Sequence, residues 1–417
     1  MTSETPTNRR RLNASSSSDS AAVSGSPTFA PDVAENLELH SLLDPIADGK
    51  ASPNATALQP NLDFADSELK RMLSIRNPIS TLSTAAERHN QAQTIGTESF
   101  KKIGAGAYGT ILAQDGKLIV FKLAKSGDDD ALRNDYEKHS LIARYFNKYS
   151  VNELGIPECI DFIPKSNIEF FSQRPSLTQA AEALCYFPTG ALISERILPL
   201  PLPVRQLLID KYCSEKIKAE ALCAVANKDC LIRVYLGSMA GRGIGKFFSL
   251  RNFKMHLGMM HSIQLDVDGM ARRMGIAMAV MHWAAMTDAR DVEFILGSAT
   301  AKTTIQGSPS SYTLKDLSQR VTQLWVLDFN QVRSITMDAA GVNQAVEAAI
   351  INDPYIPRPL RNSSIERSVW SSFVKSYIEA SDMIIQDQHD PGMAELPRMF
   401  IQGFIDVVRQ MSLSQHK

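Results

Sequence analysis

The sequence has few cysteines, little net charge and no long apolar run, and each shortage argues against a class of protein. Its five cysteines include no C-x-x-C pair, so they fit a reducing compartment better than a disulfide framework. The formal net charge of -1 argues against binding nucleic acid or anionic membranes through bulk positive charge. No run reaches the roughly 18 apolar residues that a spanning helix needs, and no signal peptide is evident. We therefore expect a cytoplasmic or nuclear protein with neither a membrane nor a nucleic-acid partner.

The first 93 residues have too few apolar positions to build a core. They are rich in Ser, Thr, Pro, Asn and Ala, with four serines at 15–18. Such a composition does not bury enough apolar area to offset chain entropy. We predict a disordered N-terminal arm over residues 1–93, with a short helix near residues 67–75. The arginines at 9–11 are interpreted as a solvated cluster, with a nuclear-import signal as the alternative.

Ordered structure is expected from about Phe100, where a glycine-rich segment begins. Gly104, Gly106 and Gly109 form a G-x-G-x-x-G pattern, which lets a backbone approach phosphates but also occurs in ordinary hairpins. The residues after it alternate as strand, turn and strand, whereas a dinucleotide fold requires a helix there. The pattern therefore predicts a hairpin that covers a ligand.

Lys122 lies inside the second of these strands, where an ammonium group is costly unless it is paired or serves a ligand. Glu137 follows fifteen residues later in an amphipathic helical pattern, and we expect it to reach Lys122. The alternative is that Lys122 extends into solvent from an edge strand and that Glu137 lies on a solvated helix face.

Another apolar strand, at residues 324–327, ends in the carboxylate of Asp328. An aspartate at the end of a strand buried on both faces points toward whatever binds at that edge. The alternative is that Asp328 caps a turn.

Taken in this order, these features resemble the protein-kinase-like fold. The resemblance implies an α+β fold of two lobes, a small antiparallel β lobe over 94–198 and a mostly helical large lobe over 199–417. It implies ATP and Mg²⁺ as cofactors. No Ala-Pro-Glu motif follows Asp328, which favours small-molecule phosphotransferases of this fold over protein kinases.

The resemblance also assigns roles to single residues. Gly104, Gly106 and Gly109 would cover the phosphates, Lys122 would contact them, and Glu137 would hold Lys122.

Asp328 would bind the metal, and Glu195 lies in a segment, 191–201, that looks like the last small-lobe strand and the adenine-binding hinge. Asp288 falls at the catalytic aspartate, with Asp291 as the rival placement. Glu293 replaces the usual metal-binding asparagine. Carboxylates close together repel unless a cation neutralises them, so the site implies either Mg²⁺ or a repurposed, catalytically inactive form that acts as an interaction protein.

A polar insertion over 298–323 separates two predicted strands and is longer than the connection that kinases place there. We expect an unidentified protein partner to bind through this insertion or through the N-terminal arm. The acceptor of any phosphoryl transfer is not indicated by the sequence.

From about Phe100 onward the chain also resembles a fungal family of unknown function. Residues 233–237, 248–253, 279–283, 291–294, 327–330 and 352–359 carry this resemblance. Members are often labelled zinc finger proteins, but this sequence has no C-x-x-C or H-x-x-x-H cluster for a tetrahedral site. We therefore expect no zinc.

Overall fold

The computed structural model describes residues 62–80, 99–241, 248–300 and 319–415. These ranges form a mixed α+β architecture with two five-stranded sheets. None of the helices in them is long and apolar enough to cross a membrane.

A segment of the predicted N-terminal arm is folded. It contains helix α1 (Phe64–Leu73), which is capped by Asp63, and strand β1 (Pro78–Ser80). Leu69, Met72 and Leu73 lie on one face of α1 and are buried in the core. Their burial explains why this part of the arm is ordered despite its polar surroundings in sequence. Residues 1–61 and 81–93 of the predicted arm lie outside the described ranges.

The first sheet is antiparallel and contains the glycine-rich hairpin. Its strand order is β2-β3-β4-β6-β5. The strands are β2 (Lys101–Ala105), β3 (Gly109–Ala113), β4 (Ile119–Ala124), β5 (Cys159–Ile163) and β6 (Ala191–Glu195). Helix α2 (Asp130–Lys148) connects β4 to β5, and the short helices α3 (Ile168–Ser172) and α4 (Pro175–Leu184) precede β6. This arrangement places Lys122, at the centre of β4, beside Ile111 and Leu192.

The apolar residues over 204–227 have the spacing of one long helix, but the structure divides this stretch. Helix α5 (Leu202–Tyr212) ends at Cys213, and helix α6 (Lys218–Cys223) follows after a short 3-10 turn. Cys213 and Ser214 between them are extended. Serine favours helix ends because its hydroxyl competes for backbone hydrogen bonds, so the apolar spacing alone overstated the length of the helix.

The second sheet lies in the part of the chain that was expected to be mostly helical. Its order is β1-β10-β9-β7-β8, with β7 and β8 parallel and the other pairs antiparallel. The strands after β1 are β7 (Ile232–Tyr235), β8 (Phe253–His256), β9 (Glu293–Thr300) and β10 (Gln319–Leu327). Both ends of the predicted insertion therefore belong to the β9–β10 hairpin, and residues 301–318 lie outside the described ranges.

The remaining helices pack on this sheet and enclose the larger core. They are α7 (Leu257–Ser262), α8 (Val267–Ala279), α9 (Ala339–Ile351), α10 (Ser364–Gln388) and α11 (Leu396–Gln415). A single π-helical turn, Val280–Ala284, extends α8. Gly275 lets α8 approach α10 closely, because an added Cβ would lie 2.3 Å from Ser376 Oγ. The two helices are thereby packed closely at this point.

Candidate functional site

Lys122 is the centre of the candidate site, because it joins two carboxylates from distant segments. Its Nζ lies 2.5 Å from Asp135 Oδ2 on α2 and 2.7 Å from Asp328 Oδ1 after β10. The side chains of Lys122 and Asp135 are only 15% and 4% exposed. Burial alone would lower the pKa of Lys122, but the two carboxylates outweigh it and raise the pKa. Lys122 is therefore charged at neutral pH.

The structure corrects the predicted partner of Lys122 from Glu137 to Asp135. Two residues along a helix correspond to a rotation of about 200°, so the two acids of α2 face in nearly opposite directions. Asp135 is buried and Glu137 is exposed. The signal that was missed is the buried helical face of Leu132, Asp135, His139 and Ile142, in which Asp135 is the acidic member.

Asp135 also fixes the position of the segment that follows β10. Its Oδ1 accepts a hydrogen bond of 3.1 Å from the backbone N–H of Phe329. The Phe329 ring is fully buried, and its centroid lies 4.9 Å from that of His139 on α2. Asp328 itself has a φ of 68°, a left-handed conformation that is uncommon outside glycine. One carboxylate thus aligns both Lys122 and Asp328.

The glycine-rich hairpin lies next to Lys122. Gly106 N–H donates a hydrogen bond of 2.9 Å to Gly109 O, which closes the turn between β2 and β3. An added Cβ at Gly109 would lie 3.0 Å from Lys122 Cγ. Glycine at this position therefore leaves room for the lysine stem to pass beneath the hairpin, while Gly104 and Gly106 line the cleft.

The cleft between the two sheets has a volume of about 120 Å³. Ile111, Ile295 and Leu327 supply apolar surface. Its charged lining residues are Arg196, Asp229, Arg233, Arg251, Glu293 and Asp328. Arg196 and Arg251 both pair with Asp229, at 3.6 and 3.0 Å. The cleft is thus apolar in part and highly charged at its walls.

Glu293 begins β9 directly opposite Leu327, which places it beside Asp328. Its Oε1 lies 2.7 Å from Arg233 Nη2. Burial raises the pKa of Glu293 to about 7, with Arg233 opposing the shift and Asp328 and Asp291 adding to it. Burial and the neighbouring acids therefore disfavour the charged form of Glu293, and Arg233 offsets this in part.

This pKa predicts a pH dependence of stability. Since the folded state binds the Glu293 proton more tightly than the unfolded state, the stabilisation is fully present below the ordinary pKa of 4.5 and is lost as pH rises toward about 7. Relative to Glu293→Gln, the wild-type free energy of unfolding should fall by roughly 3 kcal/mol over that range. Urea unfolding at several pH values between about 5 and 8 measures the difference. Glu182→Gln, at an exposed position on α4, is the control, and parallel wild-type and Glu293→Gln curves would contradict the prediction.

Asp288, the predicted catalytic residue, is fully buried and surrounded by donors. Its carboxylate accepts hydrogen bonds from Arg333 N at 2.9 Å, Arg333 Nε at 2.6 Å, Arg290 N at 3.1 Å and Gln344 Nε2 at 3.1 Å. It is absent from the described lining of the cleft. This arrangement holds the segment before β9 in place and leaves the carboxylate little capacity to bind anything else.

Asp291, the rival placement, lies closer to the carboxylates of the cleft. It is half-buried, and burial raises its pKa, with Asp328 adding to the shift. Gln331 Nε2 donates to its Oδ2, and its own N–H donates to Asn352 Oδ1 at 2.6 Å. The negative charges of Asp291, Glu293 and Asp328 therefore lie close enough to affect one another's pKa values.

Glu195 does not line the cleft along its described residues. Its N–H donates to Glu158 O at 2.8 Å, and its Oε2 accepts from Glu158 N at 3.0 Å. The N–H and the carboxylate of Glu195 thus both bond to Glu158, which joins β6 to the chain before β5. Ile197 and Pro199, just beyond, line the cleft instead, and the contact of Glu195 with a ligand stays a prediction.

Two sets of acidic side chains in the described ranges could contribute ligands to a metal ion. In these ranges, Asp128, Asp129 and Asp130 form a group of three side chains that lie close enough to share one ion. The cleft offers the neighbouring carboxylates of Glu293 and Asp328. Mg²⁺ is commonly bound through one or two carboxylates together with substrate phosphates, and these two residues offer that donor set, although Glu293 also pairs with Arg233 and Asp328 with Lys122.

One family model, domain of unknown function 3669, described as a zinc finger protein, matches residues 324–389. The match includes Asp328 and all of α10. It contains no cysteine, and His389 is its one histidine, whereas zinc fingers use four Cys and His ligands. The comparisons found no match among curated proteins and none among solved structures.

Proposed function

We propose that this chain is a kinase-like protein that binds a nucleotide with Mg²⁺ in the cleft between its two sheets. The observation that carries the proposal is the position of Lys122, which does not line the cleft itself but pairs with Asp328, which does, and with Asp135 of α2. A lysine on the third strand of an antiparallel sheet, paired with an acid of the next helix, is the arrangement that kinases use to hold phosphates.

The residues around the cleft fit such a ligand. Gly104 and Gly106 bring the hairpin backbone to the cleft, where bulkier residues would restrict the approach of phosphates. Lys122 supplies a buried positive charge, and Glu293 with Asp328 would hold the metal. A bound Mg²⁺ would neutralise charge on the phosphates, and Asp135 would keep Lys122 oriented toward them.

The saturated carboxylate of Asp288 favours the catalytically inactive form of this proposal. A general base must come within hydrogen-bond reach of the proton that it accepts, and four protein donors already surround Asp288. Phosphoryl transfer is therefore the second candidate function. Asp291 is the residue that favours it, because it is half-buried and close enough to Asp328 for that charge to raise its pKa.

Thermal unfolding of the full chain with ATP, with and without Mg²⁺, tests the proposal. Ligand at about 100 times its dissociation constant should stabilise the wild type by roughly 2.7 kcal/mol, which is several degrees. Asp328→Asn should lose the Mg²⁺-dependent part of the shift. Asp406→Asn on α11, where the side chain is 46% exposed, should keep it.

Each variant is compared with its own ligand-free form, so an effect of Asp328→Asn on stability does not affect the outcome. The proposal fails if millimolar ATP with Mg²⁺ gives no shift in the wild type. It also fails if Asp328→Asn responds to Mg²⁺ and ATP as the wild type does.

A further inference from the structure

A second cavity, of about 220 Å³, is lined by three arginines and shares no residue with the cleft. Arg76 comes from the segment between α1 and β1, and Arg272 and Arg273 come from α8. Glu153, in the loop after α2, is the one carboxylate among the described residues that line this cavity. Three positive charges and one negative charge leave a formal excess of two positive charges.

Glu153 does not satisfy all three guanidinium groups. Its Oε2 accepts from Arg272 Nη2 and also lies 3.2 Å from Arg273 Nη2. Arg76 is directed elsewhere and donates from Nη2 to the backbone carbonyl of Asn152. One carboxylate oxygen is thus shared by two cations, while the third has a neutral acceptor. Like charges gathered in this way repel one another unless an anion is present.

Arg273 has buried donors that the described residues leave unused. Its side chain is 14% exposed, and its Nε and Nη1 have no hydrogen-bond partner among the described residues. Asp266 Oδ2 is 3.9 Å from Nη1, beyond hydrogen-bond distance. Burial lowers the pKa of Arg273, the neighbouring Arg272 and Arg76 add to that effect, and Glu153 and Asp266 oppose it. An arginine buried with unused donors is costly, since the guanidinium remains charged.

The backbone places Arg76 at the cavity at a conformational cost. Its φ is 63°, a left-handed conformation that non-glycine residues adopt rarely. A hydrogen bond of 2.7 Å from Arg76 N to Thr322 O holds it there. The strained conformation of Arg76 brings a third positive charge next to two other arginines. Strained backbone conformations of this kind are concentrated at binding sites.

We propose that this cavity binds a phosphate group, either as inorganic phosphate or on a small phosphorylated molecule. The planar fork of arginine matches the oxygens of phosphate and forms paired charge-assisted hydrogen bonds with them. A phosphate dianion balances the formal excess of two positive charges, which a single carboxylate does not. The volume of about 220 Å³ equals that of roughly seven water molecules, which leaves room for a substituent on the phosphate.

Isothermal titration calorimetry of the full chain, without nucleotide or Mg²⁺, tests this site with inorganic phosphate and glycerol 3-phosphate. Chloride at equal ionic strength and glycerol are the blanks. Arg272→Gln and Arg76→Gln should each weaken phosphate binding by at least about tenfold, the loss expected for a hydrogen bond to a charged group. Arg71→Gln, which removes the same charge from a 45% exposed position on α1, should bind like the wild type.

Glu153→Gln distinguishes a ligand site from a purely structural ion-pair network. Because Glu153 competes with the ligand for Arg272 and Arg273, its replacement should tighten phosphate binding severalfold. A structural network would lose stability in this variant and give no phosphate response, which would overturn the proposal. Heat of binding that is equal for phosphate and chloride would overturn it as well, as would full binding by both arginine variants.

The two probes identify the source of the phosphate group. Tighter binding of glycerol 3-phosphate than of inorganic phosphate would support a phosphorylated metabolite. Equal or weaker binding would support inorganic phosphate. Failure of ATP to bind at the cleft would leave this result unaffected, because Arg76 and Arg272 do not line the cleft.

Discussion

Lys122→Met is expected to lower the free energy of unfolding by about 3–5 kcal/mol at neutral pH, the cost of removing one partner from a buried ion pair. The variant leaves Asp135, whose side chain is 4% exposed, without its cation. Because the pKa of Lys122 is raised, its contribution is fully present at neutral pH and is lost only as pH rises through that elevated pKa. Urea unfolding at neutral pH measures the effect.

Two further variants make this result specific to Asp135. Glu137→Gln should change the free energy of unfolding by no more than about 0.5 kcal/mol, as is usual for an exposed position. Adding Asp135→Asn to Lys122→Met should recover part of the loss, because the second change removes the uncompensated carboxylate. A loss in Glu137→Gln as large as that in Lys122→Met would instead favour the pairing that the sequence suggested.

The elements predicted best from the sequence are those defined by local patterns. The glycine hairpin, the strand that carries Lys122 and the strand that ends at Asp328 are found where they were predicted. Each depends on a few neighbouring residues, such as the turn at Gly116 or the apolar run before Asp328. Turns and strands of this kind can be predicted from the local sequence without knowledge of the fold.

The contacts of the site could not be predicted in the same way. The choice between Asp135 and Glu137 depends on which face of α2 packs inward. The apolar residues of α2 alone do not define that face, because the buried face also contains the polar residues Asp135 and His139. The environment of Asp288 depends on Arg333 and Gln344, which are 45 and 56 residues away in sequence. Such long-range partners are determined by tertiary packing, and no local sequence pattern predicts them.

The folded segment of the N-terminal arm shows a related limit of composition. Averaged over 93 residues, the arm is polar, yet three apolar residues of α1 are buried in the larger core. A short amphipathic helix gains its stability from the surface on which it packs rather than from its own propensity. The sequence predicted a short helix near residues 67–75, but the composition of the arm did not indicate that this helix packs into the core.

Phe329→Ala is expected to lower the free energy of unfolding by about 3–5 kcal/mol, the usual cost of deleting a buried aromatic ring. Phe329 is fully buried against His139 of α2, and its N–H donates to Asp135. Phe329→Leu keeps apolar volume in the same place and should cost less than half as much. Phe64→Ala, which removes a ring that is 84% exposed, should have little effect in the same urea measurement.

Phe329 and Lys122 should also depend on each other, because the Phe329 ring anchors the segment whose backbone N–H contacts Asp135, the carboxylate that also holds Lys122. Residues that share a partner usually show coupling of about 0.5–3 kcal/mol, whereas distant residues add within about 0.5 kcal/mol. The double variant Lys122→Met with Phe329→Leu should therefore depart from the sum of the single variants. Strict additivity would mean that Asp135 holds the lysine and the segment after β10 independently, and that the geometry of the site does not depend on this one carboxylate.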